Sequence, residues 1–116
     1  MPHRPLDAGR LDKRVTIQSR VESDDSGGGT TIVYTDLATV RAGIEPGTGR
    51  EFVAAQQLTP ELSHTVMMRY RRGITPNMRI AYTVEGAVRT FAIHAITDPM
   101  ERHEQLVCYC SEVTQT

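Results

Sequence analysis

Along most of the chain, apolar and polar side chains alternate with a period of two, the pattern of strands that bury one face. Val15, Ile17, Ser19 and Val21 alternate with Arg14, Thr16, Gln18 and Arg20, which predicts a first strand. Residues 22–31 carry Asp24-Asp25-Ser26 and three successive glycines and read as a flexible tip without core content. The alternation resumes over 32–45, with Ala38, Val40, Ala42 and Ile44 on one face, and Pro46-Gly47-Thr48-Gly49 must break it. Arg50 to Leu58 is the one stretch of helical composition. Its apolar row of Phe52, Ala55 and Leu58, widened by Val53 and Ala54, supports about two turns that cannot stand alone.

Beyond Pro60, a third strand sets His64, Val66, Met68 and Tyr70 against Thr65, Met67, Arg69 and Arg71. A turn over 73–77 leads to a fourth strand with Met78, Ile80, Tyr82 and Val84 on one face. Glu85-Gly86 is a tight hairpin signal. A fifth strand over 88–97 aligns Phe91, Ile93 and Ala95, and Asp98-Pro99 opens the next turn. A sixth over 104–113 aligns Leu106, Cys108 and Cys110. Six short-linked strands and one long insertion predict an all-β fold, a small six-stranded antiparallel β-barrel with a long inserted loop carrying a short helix. One domain over 1–116 is expected, with a flexible N-terminal arm at 1–12 and the long loop at 46–60.

Composition narrows the function. The 116 residues hold 39% hydrophobic and 23% charged side chains, which suits a globular chain. Thirteen basic residues against fourteen acidic ones give a net charge of −1. Stable grip on nucleic acid usually rests on a strongly basic surface, so only transient contact with DNA is expected. With no tryptophan and two phenylalanines, the chain also lacks a base-stacking platform. No stretch approaches a membrane span, and the first residues lack the apolar core of a secretory signal, so the protein is expected in the cytoplasm where it is made.

Candidate chemistry is sparse. Cys108 and Cys110 lie two apart in one strand, which strains a mutual disulfide, and Cys-x-Cys is not a zinc-ligand spacing. Reduced, partly buried thiols are expected, with no metal, cofactor or catalytic constellation, even though His94 and Cys108 can lie on adjacent strands and His103 is near in sequence. Gly47-x-Gly49 lacks the strand–loop–helix setting of a phosphate loop. Arg69, Arg71 and Arg72 form either a solvated face or a contact surface for a carboxylate-rich partner.

The run from Asp36 to Pro46 (DLATVRAGIEP) followed by Gly49-Arg50-Glu51 resembles the phage head–tail joining family, the head-closure or stopper proteins of long-tailed bacteriophages and prophages. The opening Gly9-Arg10-Leu11 with Arg14 and Ile17 is similar to that family's N-terminal signature. His64-Thr65, Arg69-Tyr70-Arg71 and the stretch from Gly73 to Ile80 resemble its central block. Phe91-Ala92-Ile93 and Asp98-Pro99 with Glu101-Arg102 match its fifth strand and following turn. Family members commonly carry tryptophans flanking the second strand. Here Tyr34 and Arg41 stand in their places, and only Tyr34 can serve as an amphipathic anchor.

The resemblance implies a β-barrel that assembles as a homo-oligomeric ring at the virion neck, built in the host cytoplasm. Such a ring binds a portal or portal-side adaptor protein above and a tail-side protein below, and closes the channel on packaged DNA. A tail-completion or terminator ring, and a free-standing barrel that binds a small ligand or peptide, remain as alternatives. The 46–60 connection exceeds ordinary hairpin lengths; doubled back, it could project roughly 25 Å into a ring lumen. Gly47, Gly49, Arg50, Glu51, Phe52, Gln56 and Gln57 are therefore the candidate channel-loop and subunit-interface residues, and Arg69, Arg71 and Arg72 the candidate partner surface.

Overall fold

The computed structural model describes residues 8–113. The alternating stretches become strands β1 (Lys13–Asp24), β2 (Thr30–Pro46), β3 (His64–Arg69), β4 (Arg79–Val84), β5 (Ala87–Thr97) and β6 (Gln105–Val113), with helix α1 (Arg50–Leu58) between β2 and β3. All pairings are antiparallel, and the order β1-β2-β3-β6-β5-β4 closes into a barrel through the β1–β4 pairing. Each strand sends alternate side chains inward, so the core draws on all six: Val15 and Ile17, Ala42, Val66 and Met68, Ile80, Phe91 and Ile93, and Leu106, Cys108 and Cys110. At one mouth Arg89 forks onto Glu112 at 2.9 and 3.0 Å and lies over the Phe91 ring.

Two irregularities set what faces where. In β2 the register shifts opposite Ile17 and Gln18, which pair with Ala38 and Asp36, so Leu37 is the extra residue of a bulge. In β5, Ile93 pairs with Cys110 and Ala95 with Tyr109, leaving His94 as the bulged residue. This second bulge reverses the inward parity. Ala95, expected to align with Phe91 and Ile93, faces outward with Tyr109, and Ile96 packs against the core instead. The Glu85-Gly86 turn forms as expected, both residues having positive φ.

The segment 22–31 differs most from its reading as a flexible tip. The β1–β2 ladder runs on through Val21↔Val33 and Glu22↔Ile32 to Asp24↔Thr30. β4 meets β1 only over residues 16–18, and β3 meets β2 only from Ala42 onward. Residues 19–35 therefore stand clear of the barrel as a two-stranded arm, and the molecule measures 55 × 30 × 28 Å. The true tip is short and closed by Asp25, whose carboxylate accepts the Gly27 and Gly29 N–H groups at 2.8 Å each. These bonds hold the Asp25 carboxyl below its ordinary value. At the arm's base, the Arg79 guanidinium lies 4.0 Å from the Tyr34 ring centroid.

Of the N-terminal arm expected over 1–12, residues 1–7 lie outside the described residues. The rest is docked: Leu11 is buried, and Arg10 donates to Glu45 at 2.8 Å. A Cβ on Gly43 would stand 2.5 Å from the Arg10 carbonyl oxygen, so that crossing requires glycine.

Candidate functional site

The connection between β2 and β3 holds the channel-loop candidates, and it lies on the barrel wall. Gly47 donates its N–H to the Ser63 carbonyl at 3.0 Å, which closes the loop at its base. Ser63 in turn donates to the Cys110 carbonyl at 2.9 Å. Phe52 is buried, with its ring directly over Gly47; a Cβ there would lie 1.9 Å from the ring. Glycine at 47 is therefore what lets the helix come down onto the loop's root. The same ring meets Tyr109 edge to face at 5.7 Å. Gln56 donates to the Leu62 carbonyl at 2.9 Å, and Leu62 is buried. A helix too short to persist alone is thus held at both ends by tertiary contacts.

The expected apolar row only partly faces inward. Phe52 is buried and Ala55 half-buried, but Leu58 is 89% exposed and Val53 52% exposed. Leu58 of the expected apolar row therefore does not pack inward, and one aromatic residue carries the docking. Gly49 sits ahead of α1 at φ 95, and its carbonyl accepts the Val53 N–H at 3.0 Å. Arg50 and Glu51 are exposed. Glu51 faces its own barrel, accepting a long 3.4 Å bond from the Tyr109 hydroxyl. Burial, and then the Glu51 charge, hold the Tyr109 phenol above its ordinary value. Gly49, Arg50, Glu51 and Phe52 line a hollow of about 710 Å³ with Thr48, Thr65, Val107 and Tyr109. Gly47, Gln56 and Gln57 are not part of its wall, and Gln57 points to solvent.

The arginine candidates fall elsewhere. β3 ends at Arg69, so Arg71 and Arg72 belong to the following turn rather than to the strand. Arg69 and Arg71 join Arg41, Val40 and Tyr70 around a separate depression of about 270 Å³, at the fork where β2 leaves β3; Arg72 is exposed beside it. Tyr70 is fixed there by stacking on His103, with ring centroids 4.4 Å apart.

The thiols face the core. Both are buried, and desolvation pushes Cys108 up to about 12 and Cys110 up as well, so neither supplies a thiolate near neutrality. His94 shares a 2.8 Å hydrogen bond with Ser111 and does not pair with Cys108. Among the described residues no group of three or more His, Cys, Asp or Glu could hold a metal ion, and no helix is long and apolar enough to cross a membrane. Reasoning from the sequence fell short of the full length of the arm, taking residues 22–31 for a flexible tip. The cue was available in the uncharged, β-branched run from Thr30 to Thr35, facing a first strand that also keeps its alternation through Val21.

A small closed barrel with two ordered excursions, one laid on its wall and one standing free, has the build of a structural assembly module. The chain belongs to the phage head completion protein family, whose model matches residues 6–113. It is 32% identical over 87 residues to head completion protein gp16 of Bacillus phage SPP1, a match covering 75% of this chain and 74% of that protein. The solution structure of protein SF1141 from Shigella flexneri 2a is similar, with a TM-score of 0.70 at 25% identity, covering 96% of this chain and 100% of that one. A chain from the virion of a native gene transfer agent particle shares the fold, with a TM-score of 0.59 at 18% identity over 90% of this chain and 96% of its own. The protein is thus a structural bacteriophage protein of head completion, and its place is in the virion.

Proposed function

We propose that this chain forms a ring at the neck of a tailed phage or prophage particle, where it joins head to tail and closes the portal channel on packaged DNA. The observation that supports this reading is the match to head completion proteins across the described barrel, including the β2–β3 connection. In such a ring the α1 connection of each subunit faces the channel, and Arg50 of one copy pairs with Glu51 of the next. Both are exposed, and Arg50 makes no ion pair among the described residues. A net charge of −1 suits a plug that blocks DNA sterically and must release it, because tight phosphate binding would oppose ejection. Arg69, Arg71 and Arg72 lie away from the connection and are free to face a carboxylate-rich neighbour.

Replacing residues 47–57 by a short Gly-Ser bridge tests the gate. The six strands keep their core, so the shortened protein should still dock on portal-bearing heads, while filled heads lose their DNA. Heads that keep their DNA as well as wild type would remove the connection from the gate. Pull-down against portal-side and tail-side proteins separately establishes which neighbour the ring meets first.

A further inference from the structure

The arm offers a surface that the gate does not use. Ser19, Val21 and Ser23 continue the inward-facing parity of Val15 and Ile17 beyond the end of the barrel, opposite Thr35, Val33 and Thr31. Val21 and Val33 form a directly opposed pair on that face, yet they are 44% and 45% exposed because no other strand lies beneath them. Ile32, on the opposite face beside Glu22, and Leu37, in the β2 bulge, are exposed to the same degree. The arm's far end bears Glu22, Asp24 and Asp25; Arg20 pairs with Glu22 at 3.2 Å, which leaves Asp24 and Asp25 as its uncompensated charges.

The barrel carries the complement. At the β2–β3 fork, Arg41, Arg69 and Arg71 surround a depression whose apolar parts are Val40 and Tyr70, with Arg72 beside it. These four arginines make no ion pair among the described residues. The arm cannot fold back to serve them. Thr30 and Arg41 lie on the same extended strand, which at about 3.3 Å per residue places the arm's end roughly 35 Å from its own fork. A carboxylate-bearing, aliphatic-faced arm and an arginine-rimmed, apolar-floored depression on the same molecule, out of each other's reach, form a head-to-tail contact between copies. Repeated, such a contact closes a ring when the rotation permits.

We propose that the arm is the subunit-joining element: its Val21–Val33 face and acidic end seat at the Arg41–Arg69–Arg71 fork of the next copy of this chain. This rests on the ring reading above. The two half-exposed valines of that face supply only a small fraction of the roughly 800 Å² per partner that a stable free complex buries, so the contact forms where copies are already held side by side.

The test pairs Ser23→Cys on the arm with Arg72→Cys at the fork, in particles that have the double variant as their sole source of this protein. A flexible bis-maleimide of about 10 Å reach makes the result independent of exact thiol geometry, and the native thiols are buried. A ladder of this chain's multimers, absent from either single variant, is the expected result. Cross-links to a different particle protein, or none in particles carrying the full complement of copies, would overturn the arm contact and leave the ring standing. A single copy per particle, by quantitative mass spectrometry, would instead remove the ring on which the contact rests.

Discussion

Residues 19–35 and residues 47–63 are both carried outside the sheet of the barrel, the first as a strand pair in solvent, the second as a helix on the wall. The arm is held by interactions within itself. These are its ladder, the Ser19–Thr35 hydroxyl pair at 3.2 Å and the Asp25 cap at the tip, with the Tyr34 ring under Arg79 of β4 as the tie of its base to the barrel. The helix is held by others: Phe52 over Gly47 and against Tyr109, and Gln56 on the Leu62 carbonyl. A strand pair with its own cross-strand bonds can keep its shape without a floor, whereas two helical turns cannot. The element that needs the barrel is the one that can be released from it by losing a single ring.

The widest contrast is in reactivity. A cysteine placed in the arm by Val21→Cys should react with a thiol reagent at pH 8 about a thousandfold faster than the native pair. Cys108 is pushed up to about 12 and both native thiols are fully covered. Comparable labelling of Cys108 without denaturant would mean that the barrel opens as readily as the arm.

Phe52→Ala should cost about 3 kcal/mol of the docking of α1, read as lost amide-exchange protection in α1 while the strands stay protected. Gly47→Ala alone should displace the same helix, at about 1–3 kcal/mol for overpacking. In the Phe52→Ala background the added methyl has room, so its cost should nearly vanish; additive costs would show that the ring does not depend on the glycine. Tyr34→Ala should loosen only the arm's base, by about 0.5–1 kcal/mol, since it removes one solvent-accessible stack with Arg79. Exchange should then rise in 19–35 and leave α1 unchanged.

The smallest effect belongs to the barrel mouth. Glu112 is held below the ordinary carboxylate value of 4.5, first by its hydrogen bond from Arg89 and with a further contribution from His64. Its stabilisation is full above the ordinary value and is lost as pH falls through the depressed folded one. Both side chains are about one-third exposed, so the pair contributes under about 1 kcal/mol. Glu112→Gln should therefore lower the melting temperature slightly at pH 7, with the difference closing in acid.

Much of the barrel was legible because period-two alternation survives wherever both neighbours of a strand are present. Val15, Ile17, Val66, Met68, Leu106, Cys108 and Cys110 all took the predicted inward face. Ala95 did not, because the extra residue at His94 has no glycine or turn residue to announce it. Leu58 failed for a geometrical reason. At 100° per residue, a side chain six positions from Phe52 has turned about 120° off its face, so an i, i+3, i+6 row drifts toward solvent. Residues 22–31 of the arm were read as a tip because three glycines outweighed the strand pattern on either side of them, and Asp25, which closes the turn, reads as loop composition until its two amide bonds are seen. The arginine cluster was visible as residues but not as a place, since Arg41 reaches it only through the β2–β3 pairing.

Closing a sheet into a barrel removes its bare edges, and the arm restores them. Thr30-Thr31-Ile32-Val33-Tyr34-Thr35 is an uncharged, proline-free window of strongly β-forming residues, held extended with one side of its backbone unpaired. Windows of that kind nucleate cross-β association between chains. Here the charges that discourage it, Arg20, Glu22 and Asp24, sit on the partner strand, with Asp36 at the window's end. A concentrated stock of the free protein is therefore most exposed to fibrous precipitation through this hairpin, and added salt, which screens those charges, should hasten it.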